Sequence, residues 1–181
     1  MHDFCIAIAK NTALHCLAEC QVSALPINPV QILRYYGLSC KLVSNASLHG
    51  SPGEIRREDY GRSAILVNAD STKEHQRFII LHEIGHYLMG HVFPATSKRS
   101  PEESEQMADI FAAAVLMPPC VLCALHTDAP EDIAKLCGVT FAAALMGAGL
   151  VQDNKKRGAF LAEPLEHRVF IGFKKFLEER F

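Results

Sequence analysis

The sequence predicts an α+β protein, mostly helical, with a small sheet of about three strands. Apolar residues recur at helical spacing through most of the 181 positions. Two segments open with a capping-box signature, and only a few short runs alternate or stay apolar as strands do.

The elements follow in order. Residues 4–20 read as a helix, because Ile6, Ala9, Ala13, Leu14, Leu17 and Ala18 fall close to one stripe. Ser23–Pro29 ("SALPINP") breaks it. A second short helix, Val30–Tyr36, ends at Gly37, a C-cap signal. Ser39–Ser44 alternates like a strand, "NASLHGSPGE" is a loop, and Ala64–Asn68 is a short strand of the buried type. Ser71-Thr72-Lys73-Glu74 then fits S-x-x-E, with Ser71 capping a helix and Glu74 reaching back. That helix runs from about residue 72 to Met89, and Gly90 is able to end it. A second box, Ser100-Pro101-Glu102-Glu103, carries proline where the missing N–H costs nothing. Its helix runs to about Leu116, where "MPP" stops it. "EDIAKLCGV" and "TFAAALMGAGL" read as two more short helices, and "GAFLAE" and "RVFIGF" as late strands.

Composition narrows the function. Hydrophobic residues are 49% and charged residues 21%, ordinary globular values, and the net charge is −2. No basic field exists to gather nucleic acid, and the small cluster "NKKRG" reads as a solvated turn. The N-terminus has no basic region and no small-residue cleavage site, so no export signal is expected. No oily run free of both charge and proline reaches about 18 residues, so no membrane span is expected. Seven cysteines at irregular spacing read as reduced thiols in a cytoplasm.

The chemistry concentrates in "RFIILHEIGHYLMGH", Arg77 to His91. His82-Glu83-x-x-His86 matches H-E-x-x-H on an expected helix. Residues four apart differ by only about 40° around a helix, so both imidazoles share one face and can share one tetrahedral zinc ion. Glu83 then sits beside the metal's open position. There it can take a proton from zinc-bound water and later deliver it to a leaving amine. His91 lies five positions after His86, about 140° off that face on a continuous helix. It reads as a polar helix-end residue unless Gly90 turns the chain back. The next helix offers a better third ligand. Glu105 and Asp109 are four apart, with small Ala108 and Ala112 on the same face to allow close approach. Glu105 is assigned as third ligand and Asp109 as the carboxylate that orients a ligand histidine from behind.

These residues carry a resemblance. "HQRFIILHEIGHYLMGH" followed by "ESEQMADIFAAAVLMP" resembles the ImmA/IrrE family of zinc metallopeptidases, the M78 type. The likeness is dense over about residues 60–120 and looser over "ALPINPVQILRYYGLSCKLV". The segment "DIAKLCGVTFAAALMGAGLV" is similar to the family's later part, but Gly147 lies near where an arginine commonly sits. The resemblance implies one zincin-like metallopeptidase domain over 1–181, with a core at about 25–120 and a helical or strand extension at about 130–181. It implies a gluzincin-like zinc endopeptidase of a bacterial cytoplasm. Its substrate would be a helix-turn-helix transcriptional repressor, cut to relieve repression in a mobile element or a stress response.

Three other features bear on function. Ala134, Gly138 and Val139 fit a loose helix-turn-helix pattern. The would-be recognition helix carries no Arg, Lys, Asn or Gln to read base edges, so it is a packing unit or a protein docking surface. Cys120 and Cys123 form C-x-x-C without a second pair to complete a zinc site, and Cys16 and Cys20 are a helical pair; both are read as reduced cysteines. Tyr60, His75, Tyr87 and His91 are each able to polarise a scissile carbonyl, and spacing does not choose among them. The alternative to an enzyme is a zinc-binding interaction module that sequesters a regulator without cutting it. A DNA-binding regulator is the third and weakest idea.

Overall fold

The computed structural model describes residues 2–58, 62–92, 99–158 and 161–180. They fall into two compact units, Met1–Ala9 with Asn28–Ala112, and Lys10–Ile27 with Ala113–Phe181. The expected class holds: helices dominate around one three-stranded sheet.

The first unit holds the sheet and the motif. Helix α1 (His2–Glu19) begins in it, and α2 (Pro29–Tyr35) follows, capped by the Asn28 side chain on Val30 N–H. Strand β1 (Ser39–Val43) pairs parallel with β3 (Ser63–Asn68), in register from Ser39↔Ala64 to Val43↔Asn68. Strand β2 (Gly53–Arg57) pairs antiparallel on the other side of β3, from Gly53↔Val67 to Arg57↔Ser63. The order is therefore β1-β3-β2. Ala64, Ile65, Leu66 and Val67 are all buried, as a central strand covered on both faces requires.

Strand β2 begins at Gly53, inside the end of the stretch expected as a loop, and runs on through residues for which the sequence predicts no element. Its sequence, Gly-Glu-Ile-Arg-Arg, has one large apolar residue, so an edge strand half open to solvent shows no strong alternation. A Cβ on Gly53 would come within 2.3 Å of Ile79 Cγ2, so the glycine lets β2 lie directly against the next helix.

That helix, α3 (Lys73–Leu88), starts one residue later than expected. Thr72, not Ser71, is the cap, accepting from His75 N–H at 3.3 Å. The Gln76 amide donates to the carbonyls of Asn68, Ala69 and Ser71, which holds Ser71 in the turn outside the helix. Helix α4 (Pro101–Leu116) begins as its box predicts: Ser100 Oγ accepts from Glu103 N–H, and Glu103 Oε2 accepts from Ser100 N–H, both at 3.2 Å. Gly85 of α3 faces Ala108 and Phe111 of α4. A Cβ there would stand 2.9 Å from Phe111 Cδ1 and 3.3 Å from Ala108 Cα, so the missing side chain sets how near the helices come.

The second unit is helical. It contains the later part of α1, the end of α4, α5 (Pro119–Ala124), α6 (Pro130–Cys137), α7 (Phe141–Lys156), α8 (Pro164–Gly172) and α9 (Lys174–Glu178). "RVFIGF" is not a strand; most of it lies in α8. The start signal is Glu-Pro-Leu-Glu: Pro164 takes the first helical position and Glu166 Oε2 accepts from Glu163 N–H at 3.2 Å. "GAFLAE" lies partly outside the described residues, and its described part forms no strand. The buried Glu166 carboxylate also accepts from Asn154 at 3.0 Å and Arg157 at 2.5 Å, so its charge is matched. None of the seven cysteines is in a disulfide. Among the described residues, no single helix is long and apolar enough to cross a membrane.

Candidate metal centre

Helix α3 presents its motif because its apolar and polar positions separate by face. Ile79, Leu81 and Ile84 are buried, while His82 and His86 are partly open toward α4. The side chains singled out from spacing converge. His82 Nε2 and His86 Nε2 stand 3.0 Å apart. Glu105 of α4 brings Oε2 to 3.2 Å from His82 Nε2 and Oε1 to 3.4 Å from His86 Nε2. All three residues offer a ligand atom within 4.8 Å of one another. Asp109, one turn further along α4, meets His82 from behind: Nδ1 donates to Oδ1 at 2.8 Å.

This donor set fits a zinc-class cation. Tetrahedral bonds of about 2.0–2.2 Å to nitrogen and oxygen separate ligand atoms by roughly 3.3 Å, close to the observed spacings. The charge balance points the same way. Burial alone would strip the proton from His82, but the hydrogen bond to Asp109 and the charges of Glu83, Asp109 and Glu105 outweigh it, and its pKa rises. Burial, then the His82 charge, lowers His86, favouring the neutral form that ligates metals. Glu83 is 8% exposed. Burial first, then the nearby Glu105 and Glu54 charges, push its carboxyl up to about 7, while His82 and the backbone N–H of Ile55 on β2 pull the other way. Three carboxylates around two histidines form a site that a divalent cation would stabilise.

The motif opens into a cavity of about 610 Å³, walled by Ser51–Ile55 on one side and by α3 and α4 on the other. A larger cavity of about 900 Å³ in the second unit contains none of these residues. Of the candidates for polarising a carbonyl, His75 and His91 line the smaller cavity, Tyr87 is not among its lining residues, and Tyr60 lies outside the described residues. Cys120 and Cys123 make no such cluster: burial pushes the Cys120 thiol up to about 12, away from the thiolate a metal needs.

Two contacts were not legible in the motif. The Ile55 N–H that steadies Glu83 belongs to the unpredicted strand β2. His91 is the second. Helix α3 ends at Leu88, Gly90 takes φ +75°, and the chain turns back. His91 N–H bonds His86 O at 2.9 Å and Gly90 N–H bonds Tyr87 O at 3.3 Å, a Schellman turn. Such a turn sets the residue after the glycine over the one five positions earlier. His91 Nδ1 accordingly lies 3.1 Å from His86 Nδ1, and the angular argument for a continuous helix does not apply.

The family model of the IrrE N-terminal-like domain, peptidase M78, matches residues 30–148. The chain belongs to the M78 peptidase family. The match spans both helices of the site, and it makes this a protein of metallopeptidase type whose candidate metal centre is His82, His86 and Glu105. A comparison with curated proteins found no match.

Proposed function

We propose that this M78-family protein is a zinc-dependent endopeptidase in which His82, His86 and Glu105 hold the metal and Glu83 is the general base. The convergence of the three donors beside the buried Glu83 carboxylate carries the reading. Bound zinc would polarise the scissile carbonyl and lower the pKa of water. The chain's own groups would do the rest. Asp109 accepts the His82 Nδ1 proton, which leaves the Nε2 lone pair directed at Glu105 and His86. Ile55 N–H holds Glu83 by its carboxylate. From there Glu83 takes a proton from the attacking water and returns it to the leaving amine.

The substrate we infer, from the family resemblance, is a helix-turn-helix transcriptional repressor of a mobile element or stress response, met in the cytoplasm. Phe141 and Leu145 on α7 are about half exposed and offer apolar area to such a protein partner. Zinc content of the purified protein tests the centre: about one ion per chain, strongly weakened by Glu105→Ala, is expected. Glu83→Gln separates enzyme from sequestering module. Cleavage lost with repressor binding kept supports the peptidase, and a wild type that binds but never cuts refutes it.

A further inference from the structure

His91 stands outside the His–His–Glu set yet touches it. A neutral imidazole has one N–H and one lone pair. For His86 Nε2 to offer its lone pair beside His82 and Glu105, the His86 proton must sit on Nδ1 and needs an acceptor there. Among the described residues, the hydrogen-bond partner of His86 Nδ1 is His91 Nδ1, at 3.1 Å. The rings meet edge to face, with centroids 5.2 Å apart. His82 meets the same need differently, since its Nδ1 faces Asp109, a group that only accepts.

His91 Nε2 is sealed from solvent and has no hydrogen-bond partner among the described residues. Among the described residues, the contact with His86 is therefore what fixes the tautomer of His91. When His86 donates from Nδ1, His91 must present a lone pair at Nδ1 and carry its own proton on Nε2. The residue in this position of a Schellman turn is commonly an apolar packing group, which would fill the space but accept nothing.

We propose that His91 is a positioning residue for the metal centre: it accepts the Nδ1 proton of His86 and so keeps His86 Nε2 a lone-pair donor toward a zinc-class cation. This rests on the metal-centre reading above and adds a residue to it. Phenylalanine keeps the ring and loses the acceptor, whereas asparagine keeps an acceptor near the Nδ1 position.

The test is a titration with Zn²⁺ against a competing chelator on the full chain, with two-bond ¹H–¹⁵N spectra of histidine-labelled protein. We expect His91→Phe to bind zinc about 10–100-fold more weakly and His91→Asn to stay within about threefold of wild type. Zinc-loaded wild type should show His86 protonated at Nδ1 and His91 at Nε2. This spectrum decides the matter even if a variant fails to fold. His91→Phe within about twofold of wild type overturns the proposal, as does His86 protonated at Nε2 in the loaded protein. His91→Asn as weak as His91→Phe also overturns it, because the imidazole itself would then be a ligand. The outcomes separate the two claims. A wild type that binds zinc, with His91→Phe unaffected, sinks this inference alone. Zinc binding with these shifts but no peptide cleavage sinks the peptidase alone, and a wild type that takes no zinc sinks both.

Discussion

Replacing Asp109 by alanine removes the acceptor behind His82. The bond is short, 2.8 Å, and joins an imidazole N–H to a carboxylate. Hydrogen bonds to charged groups contribute about 1.5–3 kcal/mol net. The Asp109 side chain is 45% exposed, so solvent screening puts this one at the lower end, about 1.5 kcal/mol. That corresponds to roughly tenfold weaker zinc binding. Asp109→Asn keeps an oxygen acceptor without the charge. A neutral bond is worth about 1 kcal/mol, so the loss shrinks to roughly two- to threefold. The metal-free stability of Asp109→Ala should fall by less than about 1 kcal/mol, because the Asp109 carboxylate is half open to water and screened. Competitive zinc titration of the three proteins, beside thermal melts without metal, reads both effects. Equal affinity for Asp109→Ala and wild type would refute the orienting role. So would Asp109→Asn falling as far as Asp109→Ala, since the acceptor would then be irrelevant.

Thr72→Ala should cost about 1 kcal/mol in a denaturant melt, whereas Ser71→Ala should stay within about 0.5 kcal/mol, because Thr72 is the cap of α3. Gly85→Ala puts a methyl 2.9 Å from the fully buried Phe111 ring. Overpacking costs about 1–3 kcal/mol and helix propensity returns about 1, so the melting temperature should drop, with zinc affinity falling as α3 and α4 part. Cys120→Ser with Cys123→Ser should leave zinc stoichiometry unchanged by elemental analysis; loss of an ion would reveal a site the buried thiol argues against. Chelator should lower the melting temperature, and free zinc at about 100 times Kd should restore roughly 2.7 kcal/mol.

The helices were legible where their signals are local. The Ser100 box, Pro101 and the 3.6-residue pattern of α4 depend on neighbours within one turn, and the structure repeats them. Helix α8 carries a signal of the same kind in Glu163, Pro164 and Glu166, but the apolar run of "RVFIGF" matches a strand as well as a helix. Strand β2 gave almost no signal, because an edge strand with one buried face and short length needs little apolar pattern. His91 shows a third case. Gly90 announces a helix end, yet only the left-handed turn reveals that the next side chain folds back onto His86.

By itself, the sequence determined the pair His82 and His86 on one helical face, Glu83 between them, and a second helix bearing Glu105 and Asp109. Those relations follow from a fixed rise and rotation per residue. Only the tertiary structure decided that Glu105 meets both imidazoles, that Asp109 stands behind His82, and that Ile55 N–H and His91 support Glu83 and His86. Those contacts depend on how closely α3, α4 and β2 pack. Side chains that are absent, at Gly53 and Gly85, set that approach, and a missing Cβ leaves no periodic trace in the chain.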